Sequence, residues 1–102
     1  MIELEATYLE EIKRILRVYL PQIEVWAFGS RVKGDPQQHS DLDLALITSA
    51  PLALNERSAL QEAFSSSDLP ILIDLVDWSA IDNEFREVIR AQHWILQHVR
   101  EQ

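Results

Sequence analysis

An α/β or α+β domain, with a small mixed β-sheet backed by helices, is predicted by three features of this 102-residue sequence. Apolar residues recur at helical spacing near both ends of the chain. Between them lie three short apolar runs rich in β-branched and aromatic residues. Pro, Gly-Ser and Ser-rich breaks separate these segments, giving the order α-β-β-α-β-α.

Residues 3–20 place Leu9, Ile12, Leu16, Tyr19 and Leu20 on one helical face, with Glu, Lys and Arg between them, and Pro21 ends the helix. Ile23 to Phe28 is a strand by length and composition, closed by Gly29-Ser30. Asp35-Pro36 marks a loop. From Asp41 to Thr48 the pattern alternates, Leu42, Leu44 and Leu46 facing one way and Asp41, Asp43 and Ala45 the other, until Pro51. Asn55 to Phe64 is predicted as a helix capped by Asn55, with Leu60, Ala63 and Phe64 inward. After a turn at Ser65 to Asp68, Pro70 to Val76 forms the third strand. Ile81 to Val99 outlines a final amphipathic helix through Phe85, Val88, Ile89, Gln92, Leu96 and Val99.

The length fits a single domain over residues 1–102, and 47% hydrophobic with 25% charged residues fits a folded one. No apolar run approaches the ~20 residues that cross a bilayer. The acidic, amphipathic N-terminal stretch is unlike a signal peptide, so a cytoplasmic protein is expected. Cysteine is absent, which excludes disulfides and thiolate metal sites. Nine basic against seventeen acidic residues give a net charge of −8, which argues against a long nucleic-acid ligand, since such binders neutralise phosphates with a basic face. A small ligand carrying its own metal ions, or a basic protein partner, fits better.

Two carboxylates inside an apolar strand call for a reason. Residues i and i+2 of a strand share a face with Cα atoms ~6.6 Å apart, so Asp41 and Asp43 can converge on one cation or bridge two lying ~3.5–4 Å apart. Asp74, on the third strand, is a candidate third ligand. Asp77 competes with it from the opposite face, and the position inside the strand favours Asp74. Without cations each like pair at ~4 Å would cost about 4 kcal/mol at an effective dielectric near 20. Oxygen ligands without Cys select Mg²⁺ or Mn²⁺. The plain alternative is a pair of solvent-facing residues on a half-exposed strand. Gly29-Ser30, ending one strand before a helical turn, offers backbone N–H groups and a hydroxyl to a phosphate, with Arg31 and Lys33 beside it. Taken singly, each of these features reads as an ordinary turn or a solvated cation. Together they are the parts a phosphoryl or nucleotidyl transferase needs. The apolar run follows the D-x-D pair and includes it, whereas phosphatases with an aspartate nucleophile have that run before it.

Gly-Ser, ten residues, then Asp-Leu-Asp, with a further Asp on a later strand, resembles the signature of the polymerase-β-type nucleotidyltransferase superfamily. The resemblance rests on Gly29, Ser30, Arg31, Gly34, Ser40, Asp41 and Asp43. The stretches VWAFGSRVKG, SDLDLAL and LPILIDLVDW are similar to minimal nucleotidyltransferases (MNT), including MntA-type antitoxins paired with HEPN-domain toxins. The resemblance implies a palm-like fold in which Asp41 and Asp43 hold two Mg²⁺ ions on the triphosphate of ATP. It further implies that Asp74 binds one ion and helps to deprotonate the acceptor, while Gly29, Ser30, Arg31, Lys33 and Ser40 contact nucleotide or phosphate. AMP would pass to a tyrosine of a HEPN toxin. Larger relatives carry a further domain for the acceptor, so here another polypeptide, or a small acceptor in an open cleft, is expected. Two other readings stay open: an antitoxin that blocks its partner by binding alone, and an enzyme modifying a small molecule.

The remaining candidates read as structural. His39 is taken as a solvated loop residue, and His93 and His98 as surface or partner-facing. Trp26, Trp78 and Trp94 belong to core or interface unless one stacks on adenine. Tyr8 and Tyr19 pack the first helix.

Overall fold

A computed structural model describes residues 4–33 and 41–99. Gly34, His39 and Ser40 therefore lie outside the described residues, as does the side chain of Lys33. The elements run α1 (Ala6–Tyr19), β1 (Glu24–Phe28), α2 (Ser30–Lys33), β2 (Leu42–Ile47), α3 (Leu54–Ser65), β3 (Ile73–Asp77), a 3-10 turn (Trp78–Ala80), α4 (Asn83–Ala91) and β4 (Trp94–Gln97). The four strands form one mixed sheet in the order β3-β2-β1-β4, with β2 and β3 parallel and the other pairs antiparallel.

Strand alternation gives this sheet two unlike faces. On one, Val25, Ala27, Leu42, Leu44, Leu46, Ile73, Leu75 and Leu96 meet Ile12, Ile15 and Leu16 of α1 and Leu60 and Phe64 of α3. This is the main core, and burying each such side chain contributes about 1.5–3 kcal/mol before entropy is counted. On the other, Phe28 and Ala45 pack with Trp78 and Ile89, and Trp26, Ile47, Val76 and Ile81 border them. α4 lies over this second cluster and brings Arg86 and Arg90 above the Trp78 ring, 5.5 and 5.1 Å from its centre. Asp43 and Asp74 share the second face by alternation, Asp43 half-buried and Asp74 exposed.

Two local expectations are corrected. Position 53, an alanine without a side-chain cap, precedes α3, so Asn55 lies inside the first turn and does not cap it. The predicted helix over 81–99 stops at Ala91. Asp82 caps its start by accepting from the Phe85 N–H at 2.9 Å. At its other end the His93 Nδ1 lies 3.1 Å from the carbonyls of Ile89 and Arg90, and Gln92 is already extended. Trp94-Ile95-Leu96-Gln97 then pairs with the edge that β1 would otherwise leave open. A strand partner outweighs the helical period of Leu96 and Val99, because ladder hydrogen bonds and burial of Leu96 come together only in the extended form. The sheet consequently has four strands, not three. His93 is half-buried, with its ring stacked on Trp26 at 4.0 Å. Tyr19 is exposed, so it adds little to the packing of α1.

The two outer edges differ. Along β3, Arg57 Nη2 donates to the Leu75 carbonyl at 2.8 Å and Gln61 Nε2 to the Ile73 carbonyl at 3.4 Å, so α3 side chains cap that edge. β4 is anchored from its end instead, Gln97 Nε2 donating at 2.8 Å to the carbonyls of both Leu20 and Ile23.

Candidate active site

Asp43 occupies the second position of β2, beside the end of β1 and the start of β3. Its Cα partner on β1 is Phe28 and its partner on β3 is Asp74. Two carboxylates directly opposite on neighbouring strands destabilise the apo sheet. Asp41 stands at the exposed start of β2, two residues before Asp43. Burial, then the charges of Asp74 and Asp41, hold the Asp43 carboxyl above the usual carboxylate range. Among the described residues no hydrogen-bond donor meets it.

Gly29 ends β1 with φ at +86°, a conformation that side chains rarely adopt. A Cβ at this position would run into Asp43 Oδ2 and lie 3.3 Å from its Cγ. Glycine is required here twice over, for the turn and for the approach of the carboxylate. Ser30 opens the four-residue α2 directly after it, and the Val32 N–H donates back to the Gly29 carbonyl at 3.0 Å. Arg31 is buried, so its guanidinium acts from within the fold and not as a solvated side chain.

Asp77 has a different environment. Its Oδ1 accepts from the Thr48 hydroxyl, from the Ser79 N–H at 3.0 Å and from the Ser79 hydroxyl at 2.7 Å, while Oδ2 accepts from the Leu52 N–H at 2.8 Å. Burial raises its pKa, but these donors outweigh burial and hold the carboxyl below its ordinary value. With both oxygens engaged at the far end of β3, Asp77 ties the β2–α3 loop to the 3-10 turn. The carboxylate beside Asp43 is Asp74.

The donor set suits a hard divalent cation, being all oxygen and carrying one carboxylate that meets no hydrogen-bond donor among the described residues. The geometry is not yet that of a filled site: among the described residues no three His, Cys, Asp or Glu side chains are gathered to hold a metal ion. A cation would relieve the repulsion between Asp43 and Asp74 and draw in the exposed Asp41.

Known proteins resemble this chain in sequence and fold. The family model described as polymerase beta, nucleotidyltransferase, matches residues 10–101. A probable protein adenylyltransferase, MntA, of Haemophilus influenzae is 46% identical over 96 residues, covering 94% of this chain and 84% of the relative. A crystal structure of a toxin–antitoxin with AMP-PNP superposes at a TM-score of 0.73 with 25% identity, over 90% of this chain and 74% of that one. A tri-AMPylated Shewanella oneidensis HEPN toxin in complex with its MNT antitoxin gives 0.62 at 24% identity, over 88% and 69% of the two chains, and shares the fold. No helix among the described residues is long and apolar enough to cross a membrane. The chain belongs to the polymerase beta nucleotidyltransferase family.

Proposed function

We propose that this nucleotidyltransferase moves AMP from ATP to a tyrosine hydroxyl of a HEPN-domain toxin, acting as its antitoxin in a hetero-oligomer in the cytoplasm. One observation carries the reading: Asp43 is lodged between Gly29 and Asp74 with no donor among the described residues to offset its charge. A carboxylate kept in that state destabilises the apo fold and is useful only to a cationic ligand. The relatedness to a probable protein adenylyltransferase supports AMP as the transferred group. The likeness to a toxin–antitoxin crystallised with AMP-PNP supports ATP as donor and a toxin as acceptor.

In this reading Asp41, Asp43 and Asp74 hold two Mg²⁺ ions, for which Mn²⁺ can substitute. When bound, they neutralise the triphosphate and the charge that develops at the α-phosphate. Gly29 lets the phosphates approach the backbone, and the Ser30 hydroxyl, with Arg31, Lys33 and Ser40, orients them. The acceptor oxygen attacks the α-phosphorus in line. Its bond to phosphorus forms as the bond to the α–β bridging oxygen breaks, pyrophosphate leaving with the electron pair. Asp74 helps to take the proton from the acceptor hydroxyl.

The test is intact-mass analysis of the partner toxin after incubation with the protein and Mg·ATP. One or more AMP adducts on tyrosine are expected with the wild type and none with Asp41→Ala/Asp43→Ala. Absence of any adduct at saturating ATP and Mg²⁺ would reject the reading. A double variant that still silences the toxin in cells would assign neutralisation to binding alone, the role that the exposed Val88, Trp94, Ile95 and Val99 would then serve.

A further inference from the structure

Phe85 is partly exposed. It lies in the first turn of α4, is 37% exposed, and meets Phe28 edge-on at 5.8 Å between ring centres and 79° between planes. Phe28 is the residue directly opposite Asp43 and the last before Gly29. A line of three side chains therefore runs across the second sheet face: Asp74, Asp43, Phe28, with Phe85 standing above its end.

The other aromatic residues do not offer this. Trp26 is stacked by His93 on one side and met edge-on by Trp78 at 5.3 Å. Trp78 is buried under Arg86 and Arg90. Trp94 shares its side of β4 with Leu96, which packs into the main core, on the opposite face from Asp43. Tyr8, Tyr19 and Phe64 belong to α1 and α3, the helices of that opposite face. Among the described residues, Phe85 is the one exposed aromatic on the Asp43 face.

An exposed aromatic ring next to a site that gathers phosphates is suited to one kind of ligand part. A nucleobase presents a π-face of similar size, and stacking is tolerant of the exact base. Phe28 fixes the Phe85 ring through an edge-to-face contact, so little rotamer freedom remains to be lost on stacking. Resting on the nucleotidyltransferase reading above, we propose that the exposed face of Phe85 is the seat of the purine base of the nucleotide whose phosphates the Gly29–Asp43–Asp74 corner receives. The base lies on Phe85, Phe28 forms the floor between base and carboxylates, and base selectivity comes from the stacking area and not from a closed pocket.

The experiment separates base from phosphate. Binding of ATP and of inorganic tripolyphosphate, each with Mg²⁺, is measured by calorimetry on the wild type, Phe85→Leu and Phe85→Trp. Phe85→Leu keeps an apolar contact to Phe28 without a π-face, and thermal melting of each variant reports its folding. Phe85→Leu is expected to weaken ATP roughly five- to a hundredfold, the range for one lost stacked base, and to leave tripolyphosphate within about twofold. Phe85→Trp is expected to bind ATP at least as well as the wild type and to lose indole fluorescence with ATP but not with tripolyphosphate. Unchanged ATP binding by a folded Phe85→Leu overturns the proposal, as do equal losses for both ligands. A wild type that binds neither ligand overturns the nucleotidyltransferase reading and the proposal together.

Discussion

The two ends of the parallel pair β2–β3 treat an aspartate in opposite ways. At the far end Asp77 meets four donors, from Thr48, Leu52 and twice from Ser79, and its charged form is favoured. At the near end Asp43 meets none among the described residues; burial and two like charges disfavour its charged form. One carboxylate is fully engaged in holding loops together. The other is held by the sheet among like charges, with no donor among the described residues to satisfy it. The difference teaches that a buried-looking aspartate is read by its donors rather than by its depth.

The contrast can be broken first at the near end. Replacing Asp41 and Asp43 together by alanine is expected to cut AMP transfer by on the order of a thousandfold or more, since losing even one electrostatic group in such sites costs 10²–10³. The partner's adduct mass checks it, and the fold should survive. Gly29→Ala should match that loss and also destabilise by about 1–3 kcal/mol, because it adds a clash with Asp43 to an unfavourable φ.

At the far end the effect should fall on stability instead. Asp77→Ala strands the Leu52 N–H and leaves the Ser79 N–H only its longer bond to the Thr48 hydroxyl at 3.2 Å, and should cost about 2–3 kcal/mol, roughly 8–20 °C in Tm, with AMP transfer per folded molecule unchanged at 25 °C. The pH dependence follows from the lowered pKa. Above the ordinary Asp value near 3.8 both folded and unfolded forms are ionised, and the stabilisation is complete. As pH falls through the folded value it is lost, so Asp77→Asn should flatten the acid limb of a plot of stability against pH.

A smaller effect with the opposite sign is expected on returning to Asp43. Asp43→Asn should raise Tm by a few degrees in the presence of a chelator, because it removes a poorly solvated charge. Mg²⁺ should raise the Tm of the wild type but not of that variant. Smallest of all, Arg57→Ala uncaps the Leu75 carbonyl on the β3 edge and should cost about 0.5–1 kcal/mol, visible in a chemical melt and silent in the transfer assay.

Much of this contrast is local and was legible in the chain. Alternation separated Leu42, Leu44 and Leu46 from Asp43 and Ala45, and the glycine at position 29 marked a turn that tolerates no side chain. What alternation cannot supply is register. That Asp43 faces Asp74 and Phe28 depends on how three distant segments slide against one another, which the whole core decides. Two of the donors around Asp77 come from Ser79 close by, but the other two come from Thr48 and Leu52, far back in the chain, and nothing near Asp77 announces those. The reading failed at Trp94 to Gln97 for a related reason. Its apolar period suits a helix, but the open edge of β1 was waiting some seventy residues earlier in the chain. Phe85 was counted as an inward residue of that long helix, and only the shorter α4 leaves it half outside.

The clasp formed by Gln97 on the Leu20 and Ile23 carbonyls also has a consequence for biosynthesis, through a sequence separation of 77 and 74 residues. On the ribosome β1 can pair early with β2, the next strand in the chain. Its other edge stays unpaired until β4 has left the exit tunnel, so the middle of the sheet is among the last parts of the molecule to close. Until then the nascent chain presents an open strand edge flanked by the apolar side chains of β1, and it is in that interval that the chain is most exposed to mispairing with its neighbours on a polysome.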